Sequence, residues 1–220
     1  MTDILGRLNA VSREIGDMPV SAGAGRSMLL RRIFDAPVDE VWRACTDPDR
    51  IGRWLAPVAG DLRPGGTFQI EGDAGGEILR CEEPRVLKVT WVLGEGMPSE
   101  VEVRLSEGAD GATAFELENA SPAETVDQIV RKYGPVGPVG IGGGWDLTLL
   151  ALDRYLRGEE FDAATWTGAP QVREFIIGSI RAWAAVSQDV WGSTDEEIDA
   201  VVAFTIQQFV PGAADGGDGG

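Results

Sequence analysis

The 220-residue sequence predicts an α+β fold in which an antiparallel sheet is followed by long amphipathic helices. Three observations carry that prediction. Between Gly60 and Asn119 apolar residues fall on every second position. From Trp145 onward they recur with a helical period instead. Before the meander, a single strand is followed by two helix-start signals in immediate succession.

The elements follow in chain order. Residues 1–26 allow two readings: Ile4, Leu8, Val11 and Ile15 would line one helix face, while Leu5, Arg7, Asn9 and Val11 alternate as on a strand. The segment closes on SAGAG, read as a flexible link. MLLRRIF, residues 28–34, is the first strand. Asp35-Ala36-Pro37 stops it and opens a helix, with Pro near the first turn. Val38, Val41, Trp42 and Cys45 then fall on one helix face. Thr46-Asp47-Pro48 repeats the start signal, and Ile51, Trp54 and Leu55 form the apolar side of a second short helix.

The period then becomes two. Phe68 and Ile70 alternate with Thr67, Gln69 and Glu71, residues 78–81 are mixed, and Leu87, Val89, Trp91 and Leu93 alternate again. Val101, Val103 and Leu105 oppose Glu100, Glu102 and Arg104; Thr113, Phe115 and Leu117 oppose Ala114, Glu116 and Glu118. The breaks RPGG, GDAGG, EEPR, GEGMP and EGADG separate the runs, so the pattern is a meander with one buried face and one wet, acidic face.

Val126, Ile129 and Val130 are spaced for a short helix, and the Gly/Pro stretch from Gly134 to Gly144 is expected to be loop. Trp145, Leu149, Leu152 and Leu156 start a long helix, its stripe widened by Leu150 and Tyr155. Two more helices are expected beyond Gly158. The first, over about 170–191, carries Val172, Phe175, Ile176, Ile180, Trp183 and Val190 on its apolar face. The second is capped by Ser193 or Thr194, has Asp195, Glu196 and Glu197 in its first turn, and buries Ile198, Val201, Val202, Ile206 and Phe209. The organisation expected is an N-terminal extension (1–26), a central domain (27–158), a C-terminal helical extension (159–210) and a disordered tail (211–220).

Composition excludes several chemistries. A net charge of −17 at pH 7, with no basic run, argues against nucleic acid and anionic membranes as partners. With no histidine there is no Ser-His-Asp triad, no His-metal cluster and no histidine base. Cys45 and Cys81 form no C-x-x-C pair, so neither a metal nor a cofactor is expected. No apolar run approaches the roughly 20 residues of a membrane span, and no secretory leader is visible. A cytoplasmic protein with reduced thiols is the expectation.

The glycine run VGIGGGW is not a dinucleotide fingerprint. Gly140 and Gly142 meet its first two positions, but the third falls on Trp145 and no strand precedes it. No Gly-Lys-Ser/Thr follows, so it is not a P-loop either. A steric role is expected: the glycines let a loop turn sharply and a long helix enter close against a sheet.

Several short motifs occur together in one order. They are FDAPVDEVWRACTDPDRIGRWLAP (34–57), RPGGTFQI, RVLKVTW (85–91), GATAFELEN (111–119) and GGWDLTLLALDRYL. Over roughly residues 27–158 this resembles the helix-grip fold of the START/Bet v-like (SRPBCC) superfamily, in the branch similar to the activator of heat-shock protein 90 ATPase. Asn119 stands where many members carry His. The resemblance implies a curved sheet wrapped around the long helix, closed at one end by the two short helices. It also implies an apolar cavity for a hydrophobic or aromatic small molecule; some related folds catalyse cyclisation, but binding without catalysis is the expectation for this chain.

The cavity candidates are Phe68, Ile70, Trp91, Val103, Phe115 and Leu117 from the sheet, faced by Trp54, Trp145, Leu149 and Leu152. The same residues would equally build a filled core. A cyclase-like enzyme would need a buried carboxylate, yet alternation places Glu71, Glu116 and Glu118 on the wet face. Only Arg80 and Glu82 have no clear side, and no catalytic constellation stands out. The third reading is a protein-interaction or co-chaperone-like role. Trp166, Phe175, Trp183, Trp191 and Phe209 would then pack outside the sheet, cover the cavity mouth, or form a homodimer through the C-terminal helices.

Overall fold

The alternating segments come together as one eight-stranded sheet in which every named neighbour is antiparallel. This is seen in a computed structural model that describes residues 4–210 apart from 95, 97, 163 and 164. The strands are β1 (Ser12–Asp17), β2 (Gly25–Phe34), β3 (Val58–Gly60), β4 (Thr67–Ile70), β5 (Gly75–Glu82), β6 (Val86–Trp91), β7 (Ser99–Glu107) and β8 (Thr113–Pro122). Their order is β1-β2-β8-β7-β6-β5-β4-β3, so the meander returns its last strand beside the first long one. The helices are α1 (Ile4–Asn9), α2 (Val38–Thr46), α3 (Pro48–Trp54), α4 (Ala123–Tyr133), α5 (Val136–Leu156), α6 (Pro170–Trp191) and α7 (Asp195–Phe209). This is the helix-grip, α+β arrangement. The expected tail, 211–220, lies outside the described residues.

Both readings of the N-terminus hold in part: a short helix ends at Asn9 and a strand begins at Ser12. SAGAG is not a flexible link. It forms the tip of the β1–β2 hairpin, where Val20 bridges Gly23 and the Met18 N–H donates to the Gly25 carbonyl. Gly23 supplies the positive φ that the reversal requires.

The paired helix starts form as expected. The Asp47 carboxylate accepts from the N–H groups of Asp49 and Arg50, with Pro48 in the first turn of α3. Trp54 Nε1 donates to the Ala44 carbonyl at 3.0 Å, which locks α3 onto α2.

The mixed stretch at 78–81 has a physical cause. The β5–β6 register shifts between Ile78 and Arg80, so the period of two is broken there by a bulge. Arg80 and Glu82 do not point inward; they are exposed and pair with each other. On the wet face Arg104 bonds Glu102, Glu116 and Glu118, while Arg31 bonds Glu14 and Glu116. Glu100 departs from the pairing of half-exposed charges on that face. It is buried, because the hairpin tip covers it: the Ser21 N–H donates to Oε1 at 2.6 Å and Lys88 Nζ lies 2.8 Å from Oε2.

The largest departure concerns the glycine stretch. The expected loop is helical, and α5 begins at Val136 rather than at Trp145. Each glycine costs a helix about 1 kcal/mol relative to alanine, so propensity alone argues against it. Packing overrides propensity. A Cβ on Gly142 would sit 2.4 Å from the Trp183 ring, and one on Gly143 would sit 3.7 Å from Ile180. Gly142 is the steric requirement: what its missing side chain admits is α6, not a sheet, and the stretch turns no loop.

Helices α6 and α7 lie where the periodicity places them. Thr194 and Glu197 form a capping box at the start of α7. Val172, Phe175, Ile176, Ile180 and Trp183 are buried, whereas Val190 and Phe209, read as apolar-face residues, are exposed.

The close approach predicts opposite outcomes for two glycine substitutions in one helix. Gly142→Ala meets the fully buried Trp183 ring and is expected to lose about 1–3 kcal/mol in a denaturant melt. Gly144→Ala has nothing within 4 Å of its new methyl and is expected to gain up to about 1 kcal/mol.

Candidate ligand cavity

A helix laid on a sheet buries one stripe of its surface and one face of the strands. Here the two do not fill the space between them. A cavity of about 180 Å³ remains between the inner face of the sheet and α5, with α2 and α3 at one end.

All ten sequence-chosen residues line it. Phe68, Ile70, Trp91, Val103, Phe115 and Leu117 come from the strands, Trp54 from α3, and Trp145, Leu149 and Leu152 from α5. Other lining residues were not singled out. Leu87, Val89 and Val101 share the same alternation and could have been. Cys81 carried no usable signal, because the β5 bulge turns it toward the cavity. Leu62 comes from the β3–β4 connection, and Thr148 sits one turn beyond Trp145.

The rings form a continuous wall from sheet to helix. Phe68 and Trp91 have centroids 6.0 Å apart, and Trp91 and Trp145 are 4.9 Å apart. Phe34 supports Phe115 from outside the lining, edge-on at 5.3 Å.

Among the described residues that line it, none is Asp, Glu, Lys or Arg. The Thr46 hydroxyl donates to the Trp42 carbonyl at 2.8 Å, and the Thr148 hydroxyl to the Gly144 carbonyl at 3.0 Å. Burial pushes the Cys45 thiol up to about 12, which leaves it protonated and a poor nucleophile. Cys81 is also raised, by burial first and by Glu83 second. Among the described residues no three metal-ligating side chains gather into a candidate metal site, and no helix is long and apolar enough to cross a membrane.

The buried carboxylates lie elsewhere. Asp146 and Asp153 project from the opposite side of α5, and Glu100 from the outer face of the sheet. Asp146 is fully buried and accepts from Arg13 Nε at 2.8 Å, Arg13 Nη2 at 3.0 Å, Ser179 Oγ at 2.5 Å and Trp183 Nε1 at 3.0 Å. Asp153 lies 2.7 Å from Arg32, 3.3 Å from Arg7 and 3.1 Å from Arg157.

Sequence reasoning missed this network. Apart from the i,i+4 pair Asp153–Arg157, which left a local trace, its contacts join residues 33 to 146 positions apart. It also decides where the C-terminal aromatics go. Trp183 docks on the back of α5, Trp166 packs on Phe161, and none of the described residues of 159–210 lines the cavity.

Residues 35–157 match the family model described as Activator of Hsp90 ATPase homolog 1-like protein. The chain is 41% identical to CalU16 from Micromonospora echinospora, whose crystal structure aligns over 81% of this chain and 98% of that one with a TM-score of 0.66. It is 25% identical to DynU16, a protein of the dynemicin biosynthetic locus, over 66% of this chain and 49% of that one, with a TM-score of 0.50. A 62-residue stretch is 39% identical to the uncharacterized protein C1711.08 of Schizosaccharomyces pombe; it takes up 27% of this chain and 18% of that protein.

Two predictions test the two sides of α5. Asp146→Ala strands the Arg13 cation, Ser179 and the Trp183 N–H together, and is expected to cost about 3–5 kcal/mol in a urea melt. Alkylation at pH 8 followed by peptide mass mapping is expected to label exposed Cys81 and to leave Cys45 unmodified until denaturant is added.

Proposed function

The chain belongs to the Activator of Hsp90 ATPase homolog 1-like family, and from that premise we propose that it binds an uncharged hydrophobic or aromatic small molecule between the sheet and α5. The observation that carries the reading is the cavity itself: aromatic-walled, free of charged side chains, and about 180 Å³ in volume. An apolar cavity of about 150 Å³ accepts benzene, so the space suits a ligand of one or two fused rings. A carboxylate or ammonium group would lose its hydration there with no counter-ion in return. DynU16, drawn from a biosynthetic locus, is a relative in keeping with a small organic ligand.

The lining supplies no general acid or base, so the reading is binding, not turnover. Helix α5 and the sheet position the rings, and α3 holds Trp54 at the end of the space through its bond to Ala44. An Hsp90-directed role would act through a surface. It is the alternative left standing if the cavity takes no ligand.

The test combines native mass spectrometry with analysis of organic extracts of the purified protein. The expected result is a stoichiometric small molecule, or one- and two-ring compounds that quench tryptophan fluorescence. Val103→Phe places a ring in the cavity and is expected to abolish that binding while leaving the circular dichroism spectrum unchanged. An empty protein with no response to any compound of the panel would overturn the proposal.

A further inference from the structure

Buried indoles ordinarily find an acceptor for their N–H. In this chain two do: Trp54 donates to the Ala44 carbonyl and Trp183 to Asp146, each at 3.0 Å. Trp145 does not. Its side chain is 8% exposed and lines the cavity, yet its N–H reaches no acceptor among the described residues. Nor is it sealed in. Among the described residues, the side-chain atoms that are both sealed and without a hydrogen-bond partner belong to Arg26, Arg32, Ser187 and Glu100, whose Oε2 has only the Lys88 ion pair. The N–H is therefore not closed off, and the ring that carries it lines the cavity. Trp42 is also buried without an indole acceptor, but it does not line the cavity.

A complementary group lies one turn away. Thr148 lines the same cavity at i+3 from Trp145, on the same face of α5. Its own hydrogen is committed to the Gly144 carbonyl, so Oγ1 has only accepting capacity left. An apolar wall whose lining residues carry one uncommitted donor and, one helical turn on, one uncommitted acceptor has a specific complement. A hydroxyl group accepts one hydrogen bond and donates another.

We propose that Trp145 Nε1 and Thr148 Oγ1 form a donor–acceptor pair that selects a neutral aromatic ligand bearing a hydroxyl group, a phenol or naphthol in chemical class. The inference rests on the cavity reading above and adds the recognition chemistry. The ligand ring lies within the wall of Phe68, Trp91 and Trp145, and its hydroxyl oxygen receives the Trp145 N–H while its hydrogen goes to Thr148. A phenol is un-ionised at pH 7, which the uncharged lining requires.

Isothermal titration calorimetry at pH 7 with naphthalene and 2-naphthol tests this on the wild-type chain, Trp145→Phe and Thr148→Val. The two hydrogen bonds are expected to make 2-naphthol bind wild type about 5- to 30-fold more tightly than naphthalene. Trp145→Phe keeps a ring and removes the donor; Thr148→Val keeps the shape and removes the acceptor. Each is expected to shrink the advantage of 2-naphthol several-fold while changing naphthalene affinity little. Thr148→Val carries the variant test if Trp145→Phe does not fold. Equal binding of the two probes by wild type overturns the pair but leaves the cavity reading intact, as does an advantage unchanged in the folded variants. Failure of both probes to bind overturns both readings.

Discussion

The buried carboxylate of Asp146 is the interaction on which the position of helix α5 depends. It gathers Arg13 from β1, together with Ser179 and Trp183 from α6, onto one side of the helix. The opposite side faces an unfilled space. Apolar side chains left unpacked around the space forgo contacts, so the helix would gain by settling into it. Breaking a buried charge network costs about 3–5 kcal/mol. A helix held from behind by such a network can stay clear of the sheet, and the cavity can persist.

The division of labour runs residue by residue along α5. Trp145 and Leu152 line the cavity; their neighbours Asp146 and Asp153 are buried on the other side among arginines. Successive helical residues lie about 100° apart, so adjacent positions can serve different surfaces. The glycines belong to the same division. Gly142 has no side chain because the Trp183 ring occupies that place, and the ring can lie there because its N–H is satisfied by Asp146 one turn further on. Arg13, Ser179 and Trp183 all fall outside residues 35–157, the stretch shared with the family model. In this chain the family's long helix is thus positioned by segments before and after the shared domain.

Much of the site was legible because strand and helix periods are local geometry. Alternation in β4, β6, β7 and β8 identified inward residues such as Phe68, Trp91, Val103 and Phe115, and the helical spacing of Trp145, Leu149 and Leu152 identified the face opposite them. Legibility failed where a tertiary contact overrode a local preference. The β5 bulge turned Cys81, still exposed, to the cavity side, the hairpin tip buried Glu100, and α6 made a helix of a glycine-rich stretch that resembles loop. It failed as well for Asp146, whose partners are far away in sequence and carry no pattern relative to it.

The sequence by itself determined which side chains face the space between sheet and helix, and that this space is apolar and uncharged, because facing follows from periodicity and polarity from residue type. Only the tertiary structure decided that the space stays open and which polar atoms remain unpaired within it. A cavity is the difference between the volume enclosed and the volume filled. Here the enclosed volume depends on where Asp146 and Trp183 hold α5, a distance set by contacts between segments that no local pattern records.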